Sequence, residues 1–148
     1  MRRDLALAIP ALPMPEGFSL HRWRMESEAE QRQYLKGRNA CFPEAPTSLE
    51  EWQYFAHSPY WEQEINMAAF VGEHLAASVL VYWQPGSPTG STEHVFTLPR
   101  YRGHRLSRVL LAEALGYLKS HGLQYASLEV KAENNAALGS YIGMGYKV

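Results

Sequence analysis

From Glu93 to Gly122 the chain runs through an alternating apolar pattern, a proline, a turn rich in Arg and Gly, and a long apolar stripe at helical spacing. Few folds accommodate that order. Glu93, Val95 and Thr97 alternate with His94, Phe96 and Leu98, so a short strand is expected to end at Pro99, which lacks a ladder donor. Arg102-Gly103-His104-Arg105-Leu106-Ser107 then enters a helix. On it Leu106, Leu110, Ala114, Tyr117 and Leu118 share one face, while Arg105, Arg108, Ala112 and Lys119 lie on another. Gly122 stands where a left-handed C-terminal cap belongs. The first N–H groups of a helix have no intrahelical partner, and Arg102, Arg105 and Arg108 add positive charge beside them. Such a turn suits an anionic phosphate group, a diphosphate in particular.

Around this unit the remaining elements are read from pattern and punctuation. Residues 1–16 carry Pro10, Pro13 and Pro15 and are expected to form a lead-in arm, extended at most, before a single domain over 17–148. Phe18, Leu20 and Trp23 suggest a first strand. Ser27 with Glu30 is a capping-box pair opening a helix from Glu28 to Ala40 that should stop near Pro43. Thr47 or Ser48, followed by Glu50 and Glu51, signals a second helix. Met67–Val71 and Leu75–Trp83, separated by Gly72-Glu73-His74, predict an antiparallel hairpin. Gln84–Ser91, with two prolines and two glycines, is expected to be a loop. Ala126, Leu128 and Val130 alternate with Tyr125, Ser127, Glu129 and Lys131, which predicts a strand. A last helix carries Ala137, Tyr141 and Met144 on one face and closes at Gly145.

The 148 residues are 46% hydrophobic and 20% charged with a formal net charge of -1, so neither disorder nor bulk attraction to nucleic acid is indicated. The single cysteine, Cys41, fits a reducing compartment and reads as a small core residue. Met1-Arg2-Arg3 precedes a short apolar run broken by Asp4 and the prolines, and no run approaches the roughly 18 residues of a membrane span. A cytoplasmic protein with no membrane partner is expected. The histidines show no spacing that suggests zinc, so no metal is expected.

The order Phe96-Thr97-Leu98-Pro99-Arg100-Tyr101-Arg102-Gly103, with Leu106, Leu110 and Leu111 behind it, resembles the central signature of the GCN5-related N-acetyltransferase (GNAT) superfamily. Asn134, Ala137, Tyr141 and Gly145-Tyr146 resemble its second signature. The likeness is strong over 93–146 and follows only element order over 17–92. It implies an α/β fold with a mixed, mostly antiparallel sheet flanked by helices, here expected to lack the last strand. It also implies acetyl-CoA as co-substrate and an N-acetyltransferase moving the acetyl group directly to a primary amine of a small molecule or peptide. The alternative is a non-catalytic acyl-CoA-binding or regulatory domain on the same fold.

By the same resemblance, the backbone of Phe96, Thr97 and Leu98 would pair with the pantetheine arm. Arg102, Gly103, His104, Arg105, Leu106 and Ser107 would cradle the pyrophosphate, with Arg108 adding charge and Asn134 either bonding near the pantetheine or holding the neighbouring loop, a residue that can also cap the last helix. Tyr141 is the expected general acid to the leaving thiolate. Glu93 is a candidate base, with His94, Glu129 and water as competitors. Arg105 and Ser107 depart from the pattern, standing where relatives carry Gly and Gly or Ala. Trp52, Tyr54, Tyr60, Trp61 and Trp83 lie where the family places its acceptor pocket; most are expected to be core, with room for one or two to line an apolar acceptor site. Family members usually continue past the Gly-aromatic pair, so an open sheet edge is expected, covered by a homodimer or by the N-terminal arm.

Overall fold

The computed structural model describes residues 1–56, 58 and 65–148. Elements follow in the order β1 (Arg2–Asp4), β2 (Ser19–Trp23), α1 (Glu28–Cys41), α2 (Leu49–Ala56), β3 (Ile65–Val71) and β4 (His74–Tyr82). After these come β5 (Thr89–Thr97), a 3-10 turn (Pro99–Tyr101), α3 (Leu106–Ser120), β6 (Tyr125–Ser127) and α4 (Asn135–Gly143). The strands form one open sheet in the order β1-β6-β5-β4-β3-β2, antiparallel throughout except for the parallel pair β5 and β6.

Period-two alternation sorts the strand side chains onto two cores. Met67, Ala69, Val79, Val81 and Ala126 meet Leu110, Leu111, Leu115 and Leu118 of α3. On the other face Ala68, Phe70, Leu80 and Phe96 meet Tyr34 and Leu35 of α1 and Trp52 of α2. Both helices on that face start as their sequences predict. Glu30 N–H donates to Ser27 Oγ at 3.1 Å while Ser27 N–H donates to Glu30 Oε1 at 3.2 Å. For α2 the cap is Ser48, whose Oγ accepts from Glu51 N–H at 3.1 Å.

Two expectations are corrected. The segment Gln84–Ser91 is not all loop, because β5 begins at Thr89 and its first three residues pair with Tyr125–Ser127. Gly90, a breaker by composition, is a close-approach residue, since a Cβ there would overlap the Leu118 side chain of α3. Conversely β6 stops at Ser127 rather than Lys131, because its neighbour β5 has turned away.

The cause of that divergence is a bulge. Leu80 of β4 faces Glu93 and Ser78 faces Phe96, so β5 spends one extra residue over this interval, and His94 takes a left-handed φ of 48° within it. Residues 1–16 enter the sheet through β1, which pairs antiparallel with β6 and covers that strand's outer edge.

Candidate active site

Beyond Ser91 the two parallel strands separate, and a cleft of about 400 Å³ opens between the second half of β5, the turn before α3 and the first turns of α4. Leu98 N–H donates to Ala76 O at 2.9 Å, so the amides of Phe96 and Leu98 face β4. By alternation the backbone of Val95 and Thr97 faces away from β4, toward the cleft that both residues line. Thr97 O is partly engaged, accepting from Arg102 Nε at 3.1 Å.

The turn at the cleft floor is held from outside by Phe18, whose ring lies 6.1 Å from the buried Tyr101 and 5.1 Å from His104. Gly103 has φ 89°, a conformation that glycine adopts freely. Arg105, standing where the pattern calls for Gly, has φ 59° and serves as the helix N-cap without a side-chain cap bond. The departure therefore falls on a left-handed position. Among the described residues, the backbone N–H groups from Gly103 to Arg108 have no hydrogen-bond acceptor, the next donor being Val109 to Arg105 O. Their partial positive charge and that of α3 converge on the cleft.

The cleft brings together Phe96, Thr97, Arg102, Gly103, His104, Arg105, Leu106, Ser107, Asn134 and Tyr141. Leu98 and Arg108 are not part of its lining. Leu98 reaches toward Gly37 of α1, and the Arg108 guanidinium lies toward Gly143 at the end of α4. Val95, Cys41, Phe42, Ala136, Ala137 and Ser140 do line it. The alternation that named Val95 a strand residue could have placed it there, because only one parity of a strand can offer backbone to an open edge. Cys41 and Phe42 gave no such signal, since they arrive from α1 by tertiary packing. Burial raises the Cys41 thiol above its ordinary value, and Arg102 only partly opposes this. Asn134 Oδ1 caps α4 by accepting from Ala137 N–H at 3.2 Å, and among the described residues its amide nitrogen has no acceptor.

Tyr141 is half-buried, and its phenol is held above its ordinary value by burial first and by the Glu93 carboxylate second. Glu93 does not line the cleft but is near enough for its charge to act on Tyr141. Its carboxyl is raised to about 7, chiefly by burial and then by the charge of Glu129, while the Glu129 N–H and the Met1 ammonium act in the opposite direction. His94 is lowered to about 4 by burial and by the neighbouring Arg38 charge. Of the aromatics expected near an acceptor pocket, Trp52 is core, Tyr54 is exposed, and Trp83 stacks on Tyr117 and His121. Tyr60 and Trp61, like His57, lie outside the described residues. Among the described residues no group of three or more His, Cys, Asp or Glu is placed to hold a metal, and no helix is long and apolar enough to cross a membrane.

A mixed sheet forked between its two parallel strands, with a free-amide turn at the floor of the fork, defines the acetyltransferase class of fold. The chain belongs to the acetyltransferase (GNAT) family, whose family model matches residues 21–146. It is 28% identical over 156 residues to the mycothiol acetyltransferase of Thermobispora bispora, the match covering 99% of this chain and 52% of that protein. It is 32% identical over 158 residues to the mycothiol acetyltransferase of Brachybacterium faecium, covering 100% and 47%. Among solved structures, the tandem GNAT protein from the clavulanic acid biosynthesis pathway matches with a TM-score of 0.79 and 18% identity over 99% of this chain and 48% of that one. The chain thus spans about half the length of the relatives it matches.

Proposed function

We propose that this chain transfers the acetyl group of acetyl-CoA directly to a primary amine of a small molecule or peptide. The observation that carries the reading is the run of acceptor-free N–H groups from Gly103 to Arg108, opening on the same cleft as Tyr141. A diphosphate satisfies those donors, and the outward-facing backbone of Val95, with the Thr97 N–H beside it, offers an extended arm an edge to pair with. Acetyl-CoA, when bound, supplies a thioester whose C–S bond breaks as the C–N bond to the amine forms.

The chain's own residues then manage two protons. Glu93, with its carboxyl raised to about 7 but set back from the cleft lining, can take one from the incoming amine through a bridging water and be regenerated at neutral pH. Tyr141 stays protonated at that pH and gives its phenolic proton to the departing sulfur. His94 is the weaker candidate base, because burial and Arg38 both oppose the imidazolium it would have to become. The cleft offers no activated nucleophile, with Cys41 held as the thiol, so transfer proceeds without an acyl-enzyme.

The acceptor panel begins with mycothiol-related amines, on the strength of the relatives' names, and extends to aminoglycosides, polyamines, lysine and peptide N-termini. Calorimetric titration with acetyl-CoA and thiol release across that panel test the reading. No binding at millimolar acetyl-CoA defeats it, and tight binding with no turnover on any amine supports the non-catalytic alternative.

A further inference from the structure

Where β5 and β6 part, a short chain of hydroxyls crosses between them. Thr92 follows the last parallel pair, Ser91 with Ser127, and immediately precedes Glu93. It is fully buried, and its Oγ1 lies 3.1 Å from Ser127 O and 2.8 Å from the hydroxyl of Tyr146, itself buried. Counting protons fixes the direction. Ser127 O can only accept, so the single Thr92 proton goes to it, and the Tyr146 hydroxyl must donate to Thr92 Oγ1. Burial raises the Tyr146 phenol well above its ordinary value, so that donor persists at any working pH.

The chain of hydroxyls therefore ties three elements at one point: β5, β6 and the residues after α4. Each carries a group of the proposed chemistry. Glu93 is one residue beyond Thr92, and Glu129, whose charge and backbone N–H both act on the Glu93 carboxyl, is two residues beyond Ser127. Tyr141 packs edge-on against Tyr146, their ring centroids 6.1 Å apart.

We propose that Tyr146 and Thr92 are positioning residues, the hydrogen-bond chain from Tyr146 through Thr92 to Ser127 O fixing the fork of the sheet and so holding Glu93 near Tyr141. This rests on the reading of Glu93 as the base. Around the Glu93 carboxylate stand Glu129 beyond β6, Tyr141 on α4, Tyr146 after it, and the Met1 ammonium, which donates to Leu128 O at 3.0 Å. Burial is the largest influence on that carboxyl, so a loosened fork admits water and lets it titrate nearer its ordinary value.

The test is the titration of Glu93, followed by 13C NMR of the glutamate carboxyls and assigned by the signal missing in Glu93→Gln, in the wild type, Tyr146→Phe, Thr92→Val and Thr92→Ser. In Tyr146→Phe and Thr92→Val the midpoint is expected to fall by about one unit or more. In the same two variants kcat is expected to fall about tenfold with KM for acetyl-CoA within about twofold. Thr92→Ser keeps the hydroxyl and restores both. Should Tyr146→Phe not fold, the contrast of Thr92→Val with Thr92→Ser decides. A folded Tyr146→Phe or Thr92→Val whose Glu93 midpoint is unmoved overturns the inference, even if its melting temperature drops. A moved midpoint in a protein that turns over no amine supports the positioning role and sinks the reading of Glu93 as base.

Discussion

Arg3 donates its Nε–H to the carbonyl of Met144 at 2.6 Å, joining β1 to the C-terminal end of α4 across 141 positions of sequence. The same buried guanidinium donates to Asp4 O at 2.9 Å, Leu7 O at 3.4 Å and Ala8 O at 2.8 Å. Its charge is balanced by carbonyl dipoles, including the negative end of α4. Gly145, with φ 93°, lies directly on it, and a Cβ there would sit 2.9 Å from Nε.

Replacing Arg3 with Met keeps an apolar stem but leaves the buried Met144 O at the end of α4, and the carbonyls of Asp4, Leu7 and Ala8, without that donor. The expected loss is on the order of 3 kcal/mol of unfolding free energy, read by chemical denaturation. Gly145→Ala should also destabilise, because the new methyl is strained in φ and crowds the guanidinium.

Arg105→Gly should have opposite effects on stability and on binding. A left-handed N-cap costs an arginine about 1 kcal/mol that glycine does not incur, so the denaturation midpoint is expected to rise. The residue is exposed at the cleft and, in the proposed function, would supply charge to a bound diphosphate, so acetyl-CoA affinity should fall and lose part of its salt dependence. Titration at two ionic strengths against the wild type checks this. Unchanged affinity at both would show that Arg105 makes no contact with the phosphates.

The strand-turn-helix unit and the capping boxes are legible in the sequence because their causes are local. Pro99 ends a ladder, Gly103 permits a left-handed turn, and Ser27 and Glu30 satisfy one another three residues apart. What could not be read is what depends on a partner distant in sequence. Gly90 looks like a turn residue until Leu118 is seen against it. The end of β6 is set by the bulge at His94 in another strand, and the lining by Cys41 and Phe42 is set by how α1 docks. Arg108 shares its helix with the cradle, but its side chain lies toward the end of α4.

Tyr141→Phe removes the proposed proton donor while leaving the packing against Tyr146. Turnover should fall about 10- to 100-fold with the dissociation constant for acetyl-CoA changed less than about threefold, measured by thiol release and calorimetry on the same preparation. Loss of binding in step with turnover would mean that the ring supports the cleft rather than the leaving group.

Glu93 gives a signature in stability as well as in rate. Its folded-state carboxyl lies near 7, above the ordinary 4.5, so the fold favours the protonated form. The linked stability is fully present below about 4.5 and is lost as pH rises through about 7. Glu93→Gln is neutral at every pH, so its melting temperature should exceed that of the wild type at pH 8 and the gap should close toward pH 4.5. In the wild type the base is free only above its midpoint, so kcat/KM for the amine should rise with pH through about 7. Glu93→Gln should lose that limb along with most of its activity. A variant that keeps the limb but shows the stability gap at pH 8 would leave Glu93 as a buried carboxyl beside the site and hand the base role to another group or to water.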